Sequence, residues 1–154
     1  MLLTNPYGDL KMDSEDRSTQ KDTSSSAVTS SLSDLIARLE KATGPDLELD
    51  EQIQAAISGA TLEKQADGRN AYHRDGFWIS IGKVLPYTSS IDAAMTLVPE
   101  GWNRRASETD KHWWWAELRE GYETSYNRVE IGQSPSLPVS ICIAALKARS
   151  LPAI

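Results

Sequence analysis

The stretch KHWWWAELRE, residues 111–120, sets Trp113, Trp114 and Trp115 side by side in a chain of 154 residues whose aromatic fraction is 7%. Side chains alternate faces along a strand. His112, Trp114, Ala116 and Leu118 therefore share one side, and Trp113, Trp115, Glu117 and Arg119 share the other. The first set reads as core. The second mixes two rings with two charges, which marks a sheet face that is open or only partly covered. Burying one such ring is worth ~2–3 kcal/mol, so two of them on one face call for a helix, a second copy of the chain or a bound partner. Trp78 and Trp102 pose the same choice and are assigned to the core.

Working outward from this strand, GWNRRASE (101–108) precedes it and SYNRVEIG (125–132) follows it. The polar links Thr109-Asp110-Lys111 and Gly121-Tyr122-Glu123 separate the three, which predicts an antiparallel meander. SPSLPVSICIAALKARS (134–150) is apolar nearly all round from Val139 to Leu146, so this helix should be the most buried in the domain. Ser136 is placed to cap it, and Pro138 falls in the first turn, where no amide donor is missed.

Upstream, YTSSIDAAMTLVPEGW (87–102) reads as a helix of about three turns, with Ser89-x-x-Asp92 as a capping box and Pro99 and Gly101 as the stop. Asp75-Gly76 is a tight-turn signal joining strands at 70–74 and 77–82. Before them, SSLSDLIARLEKATGPD (30–46) and DLELDEQIQAAIS (46–58) carry helical periodicity and form a helical hairpin. Asp46, Glu48 and Asp50 at the start of the second helix read as charges that complement its dipole. Ten of the eighteen residues from Ser14 to Ser31 are Ser or Thr, with almost nothing apolar to offset ordering entropy, so residues 1–31 are read as a flexible tail. The expectation is one α+β domain over 32–150, a small mostly antiparallel sheet sandwiched between helices in the order α-α-β-β-α-β-β-β-α.

The stretches LIARLEKATGPDLELDEQIQAAI, PYTSSIDAAMTLVPEGW and SPSLPVSICIAALKARS, in that order and at these separations, resemble the small phage and prophage proteins grouped as the phage ABA sandwich domain, which are common in alphaproteobacteria and their phages. The resemblance covers residues 32 to 150. It implies a sheet between helices and a phage-related origin, and it carries over no catalytic residues. Pro138 departs from the family, which has a helix former there.

Composition narrows the function classes. Sixteen Lys and Arg against 22 Asp and Glu leave a net charge of −6, which argues against nucleic acid as a partner. The single cysteine, Cys142, lies in an apolar run where a thiol behaves as a small hydrophobe, and this suits a reducing cytoplasm. The start, MLLTNPYGDLKM, has neither the basic region of a signal peptide nor the length of a membrane span. His73 and His112 are the sole imidazole bases, and no nucleophile elbow or Gly-rich phosphate loop is present. His73 and Asp75 share a face of HRD, but a hairpin turn favours Asp for its own geometry, so no metal site and no cofactor are expected. The paired carboxylates Glu117 and Glu120, or Asp46 and Asp50, read as solvated faces and helix-end charges.

What remains is a binding surface. Trp102, Arg104, Arg105, Trp113, Trp115, Arg119, Tyr126 and Arg128 all fall on the three predicted strands. Rings beside guanidinium forks suit a flat anion, held by stacking and charge-assisted hydrogen bonds together. Each arginine also has a carboxylate within cross-strand reach, among them Glu117, Glu120 and Glu130. The expected function is that of a non-enzymatic, cytoplasmic phage accessory protein, a homo-oligomer that sequesters a small nucleotide-like ligand on this face. The alternative is a structural or interaction module that binds a host or phage protein and has no small ligand.

Overall fold

The computed structural model describes residues 24–121 and 128–152. The chain runs α1 (Ser24–Lys41), α2 (Leu47–Ile57), β1 (Thr61–Lys64), β2 (Asn70–Arg74), β3 (Phe77–Ile79), α3 (Ile91–Met95), β4 (Trp102–Glu108), β5 (Trp114–Glu120), β6 (Arg128–Ser134) and α4 (Leu137–Ser150). The α+β class and the order of helices and strands are those expected. Two features depart from the single sheet between helices that was expected. β1 is an additional strand, and the six strands form two antiparallel sheets of three, β1-β2-β3 and β4-β5-β6.

α4 is the centre of the molecule. Val139, Ile141, Cys142, Ile143, Ala144, Ala145 and Leu146 are all buried, because β5 and β6 lie against one side of the helix while α1 and α3 meet the others. An all-round apolar helix needs such an all-round coat. Ser136 stands at its N-cap without a side-chain cap bond; its own N–H donates to Ser134 Oγ at 3.1 Å instead. At the other end the basic residues act as ties. Lys147 Nζ lies 2.8 Å from Glu40 and donates to the Ile131 carbonyl at 3.2 Å, and Arg149 Nε donates to the Leu97 carbonyl at 2.6 Å.

The helix comes down on the sheet over its smallest residues. Ala116 and Gly132 are register partners on β5 and β6. A Cβ on Gly132 would stand 2.0 Å from the Ser140 carbonyl oxygen and 2.9 Å from the Ala144 nitrogen. Only a residue without a side chain admits the α4 backbone at that distance.

α2 is held to the rest by a polar knot. Asp46 caps it, accepting from the Leu49 N–H at 3.1 Å, and the Asp46 N–H donates to Thr88 Oγ1 at 2.8 Å. Asp50 is not a solvated helix-end charge. It is buried and accepts the Thr88 N–H at 2.7 Å, and burial pushes its carboxyl above the ordinary value even though the Thr88 bond pulls the other way. Tyr87 completes the knot by donating its hydroxyl to Gln54 Oε1 at 2.6 Å.

Three boundaries shift from the sequence reading. α1 runs back to Ser24, inside the stretch assigned to the tail; once residues 32–41 are nucleated against α4, adding a turn fixes one residue per hydrogen bond. Residues 1–23 lie outside the described residues. α3 has five residues rather than three turns, and its cap is Ser90, not Ser89: Ser90 Oγ accepts from the Ala93 N–H at 3.2 Å. Beyond Met95 the N–H groups of Thr96, Leu97 and Val98 bond three residues back, so the helix tightens and ends ahead of Pro99. β3 stops at Ile79. Its turn is as expected, with Asp75 (φ 53) and Gly76 (φ 80) both left-handed, the geometry that matches the twist of a two-residue hairpin.

Candidate functional site

Register sorts the second sheet into two faces. Trp102, Glu120 and Arg128 are successive partners across β4, β5 and β6, as are Arg104, Leu118 and Glu130, and Ala106, Ala116 and Gly132. Gly132 fixes this side as the one that α4 covers. The opposite rows are Asn103–Arg119–Val129, Arg105–Glu117–Ile131 and Ser107–Trp115–Gln133, and among the described residues no helix packs on them. Among the described residues the sheet is thus coated on one face and open on the other.

The expected ligand-binding residues divide between these faces. On the α4 side, Arg128 holds Glu120 through two bonds of 2.5 and 2.9 Å, donates to the Pro152 carbonyl at 2.7 Å, and lies 5.7 Å from the centre of the Trp102 ring. The Arg128 bonds keep the Glu120 carboxyl below its ordinary range. Trp102 packs partly buried against the core, as assigned. This row is a closed structural unit. Arg104 shares its face but stands exposed on the outermost strand.

On the outer side, Trp115 is half-buried, and Arg119 Nε donates to Glu117. Trp113 precedes β5 and is 43% exposed; its carbonyl accepts the Thr109 N–H at 2.7 Å and closes the β4–β5 turn, in which His112 takes a left-handed φ of 58. His112 Nδ1 lies 3.1 Å from Glu108. Val129 and Ile131, two residues apart on β6, expose apolar surface on the same face. Tyr126 lies outside the described residues.

The alternation read from the tryptophan run holds from Trp114 to Leu118, with Ala116 and Leu118 fully buried beneath α4. It misplaces Glu117. This carboxylate is 4% exposed at the middle of the outer face, flanked by Arg105 on β4 and Ile131 on β6 and bonded by Arg119. A period-two pattern says which way a side chain points, not how tall its neighbours are.

Two residues read as core are exposed: His112, whose side chain is 91% exposed in the β4–β5 turn, and Trp78, which is 60% exposed. It flanks a two-residue turn at the rim of the first sheet, where its ring meets the His73 ring at 3.6 Å between centroids and Phe77 beside it is also exposed. Proximity to Asp75-Gly76 was the available signal, because α2 reaches this sheet at β1 and not at β3.

The reactive side chains are occupied in structure. Cys142 Sγ donates to the Tyr87 carbonyl at 3.3 Å, and burial pushes its thiol far up, so it stays protonated and is a poor nucleophile. His73 Nε2 lies 2.9 Å from Glu63 without the geometry of a hydrogen bond, its ring is held against Trp78, and Asp75 serves the turn. Among the described residues no three His, Cys, Asp or Glu side chains gather into a metal-holding group, and no helix is long and apolar enough to cross a membrane.

No protein-family model, no curated protein and no solved structure matches this chain.

Proposed function

We propose that the protein is a binding module of phage-related origin whose outer face of β4-β5-β6 docks on another protein, one that presents apolar side chains flanked by carboxylates. The observation that carries this reading is the exposure of Val129 and Ile131 on a sheet face that no described helix covers, with Trp113 exposed at its end. A contiguous apolar patch rimmed by charge is the ordinary signature of a docking surface. Arg105 on that face and Lys111 in the adjoining turn are exposed and favour an acidic rim on the partner.

Sequestration of a small nucleotide-like anion, the other reading, draws less support from the geometry. Arg119 and Arg128 each already hold a carboxylate. Arg104 and Arg105 are exposed but sit on opposite faces, so they do not converge on one ligand.

The test places a photo-crosslinking residue at Ile131 and, as a control, at exposed Ala66 in the β1–β2 turn, in the cell that makes the protein. A partner captured at 131 and not at 66 is then purified and titrated. Ile131→Asp and Arg105→Glu should each weaken its binding by about tenfold or more. A partner that binds Ile131→Asp as well as wild type, or equal capture at both positions, overturns the reading. Thermal melts over a nucleotide panel address the competitor, since a midpoint rising with the logarithm of one nucleotide's concentration would favour the ligand reading.

A further inference from the structure

Among the described residues β4 is the outermost strand of its sheet, hydrogen-bonded to β5 alone, and six of its seven residues are exposed. Such a strand leaves a row of backbone donors and acceptors without partners. Which residues supply them follows from the two bonds that bracket the ladder. The Gly121 N–H donates to the Gly101 carbonyl at 3.3 Å, and the Thr109 N–H to the Trp113 carbonyl at 2.7 Å. Both fall in the β4–β5 register, so Gly101, Asn103, Arg105, Ser107 and Thr109 aim their backbone groups at β5. Arg104, Ala106 and Glu108 aim theirs outward, as does Trp102, whose N–H already donates to the Pro99 carbonyl at 3.3 Å.

From this we infer that a second copy of the chain pairs on that edge, β4 antiparallel to β4 about a twofold axis at Ala106, to give one continuous six-stranded sheet. Parity and charge select the register. Outward-aimed residues must face outward-aimed or inward-aimed must face inward-aimed, which leaves twofold centres at 103, 104, 105, 106 and 107 within the body of the strand, and a centre at 103 pairs no opposite charges there. A centre at 104 sets Arg104 against its own copy, and a centre at 105 does the same for Arg105; like charges directly opposite are destabilising. A centre at 107 pairs no opposite charges within the strand. A centre at 106 sets Arg104 of each copy against Glu108 of the other, twice, with the small Ala106 residues facing each other on the axis. Among the described residues of its own chain Arg104 makes no ion pair, and Glu108 is paired with the exposed His112 ring and no other cation. Because the contact is isologous it consumes both β4 edges and closes at the dimer.

This pairing leaves the outer face of each copy uncovered, so it stands or falls separately from the docking proposal. Sedimentation equilibrium of the full chain up to about 1 mM should show a monomer–dimer equilibrium. Arg104→Glu alone or Glu108→Arg alone should weaken the dimer by about tenfold or more, and the double variant should restore it to within about threefold, since the same opposite charges then meet with their places exchanged. Ala106→Pro removes an outward N–H and no bond to β5, so it should abolish the dimer while the melting midpoint, corrected for dimer linkage, stays near that of wild type. A strict monomer at the highest concentration, a double variant as weak as the singles, or a dimer that survives Ala106→Pro would overturn the proposal. Ile131→Asp should leave the dimer intact; its loss there would mean that the copies meet through the outer face instead, which also overturns edge pairing.

Discussion

The two sheets use the same antiparallel ladder and have opposite relations to the core. In β1-β2-β3 only Ala71 is buried, and Phe77 and Trp78 project from the rim. In β4-β5-β6, Ala116, Glu117, Leu118, Gly132 and Ser134 are buried or nearly so. The difference is a single helix. Three strands are stable when one face is packed, and α4 supplies that packing to the second sheet, whereas the first has the flank of α2 against β1. Burial, and with it stability, belongs to the helix–sheet contact rather than to the ladder.

The harshest way to break this contrast is Gly132→Ala. Its new methyl must displace the α4 backbone, and the expected loss is at least about 3 kcal/mol in urea unfolding, as overpacking against an unyielding neighbour costs. A loss under about 1 kcal/mol would show that α4 and β6 can separate freely, and the contrast between the sheets would lose its cause.

Next in size comes Asp50, which ties α2, and through it the first sheet, to the core. Asp50→Ala leaves the buried Thr88 N–H without its acceptor and should cost about 2 kcal/mol. Hydrogen exchange should quicken at β2 and not at β5. Asp50→Asn keeps an acceptor and removes the charge. Because burial raises the folded-state value above the ordinary 3.8, the carboxyl's contribution is fully present below that pH and is lost as pH rises through the folded value. The stability of wild type should therefore fall relative to Asp50→Asn as pH climbs through that window; parallel curves would refute the assignment.

The smallest effects belong to the first sheet's rim. Phe77→Ala should change stability by no more than about 0.5 kcal/mol, and Trp78→Ala by no more than about 1 kcal/mol, because the latter also loses the His73 ring contact. A cost above about 2 kcal/mol for either would place that rim in the cooperative core after all.

Much of the better-packed half was legible in the chain. Apolarity all round from Val139 to Leu146 demanded a central helix, and alternation around Trp114 named Ala116 and Leu118 as its floor. β1 was not legible: TLEK is short, mostly exposed and carries no period-two signature, so only its pairing with β2 makes it a strand. The candidate site was half legible. Its residue types were all visible, but the set divides because Trp102, Arg104 and Arg128 fall on the α4 side while Trp115 and Arg119 fall on the other. That division depends on which residue of one strand stands opposite which residue of the next.

Local patterns by themselves determined the element types other than β1, the buried character of α4 and the facing of β5, because periodicity and capping act over a few residues. Tertiary structure alone decided that there are two sheets rather than one, that Asp50 and Glu117 are enclosed, and that the arginines are shared between two faces. Those outcomes are set by register and by contacts between segments tens of residues apart, such as Asp50 with Thr88 or Cys142 with Tyr87, and a local pattern holds no record of either.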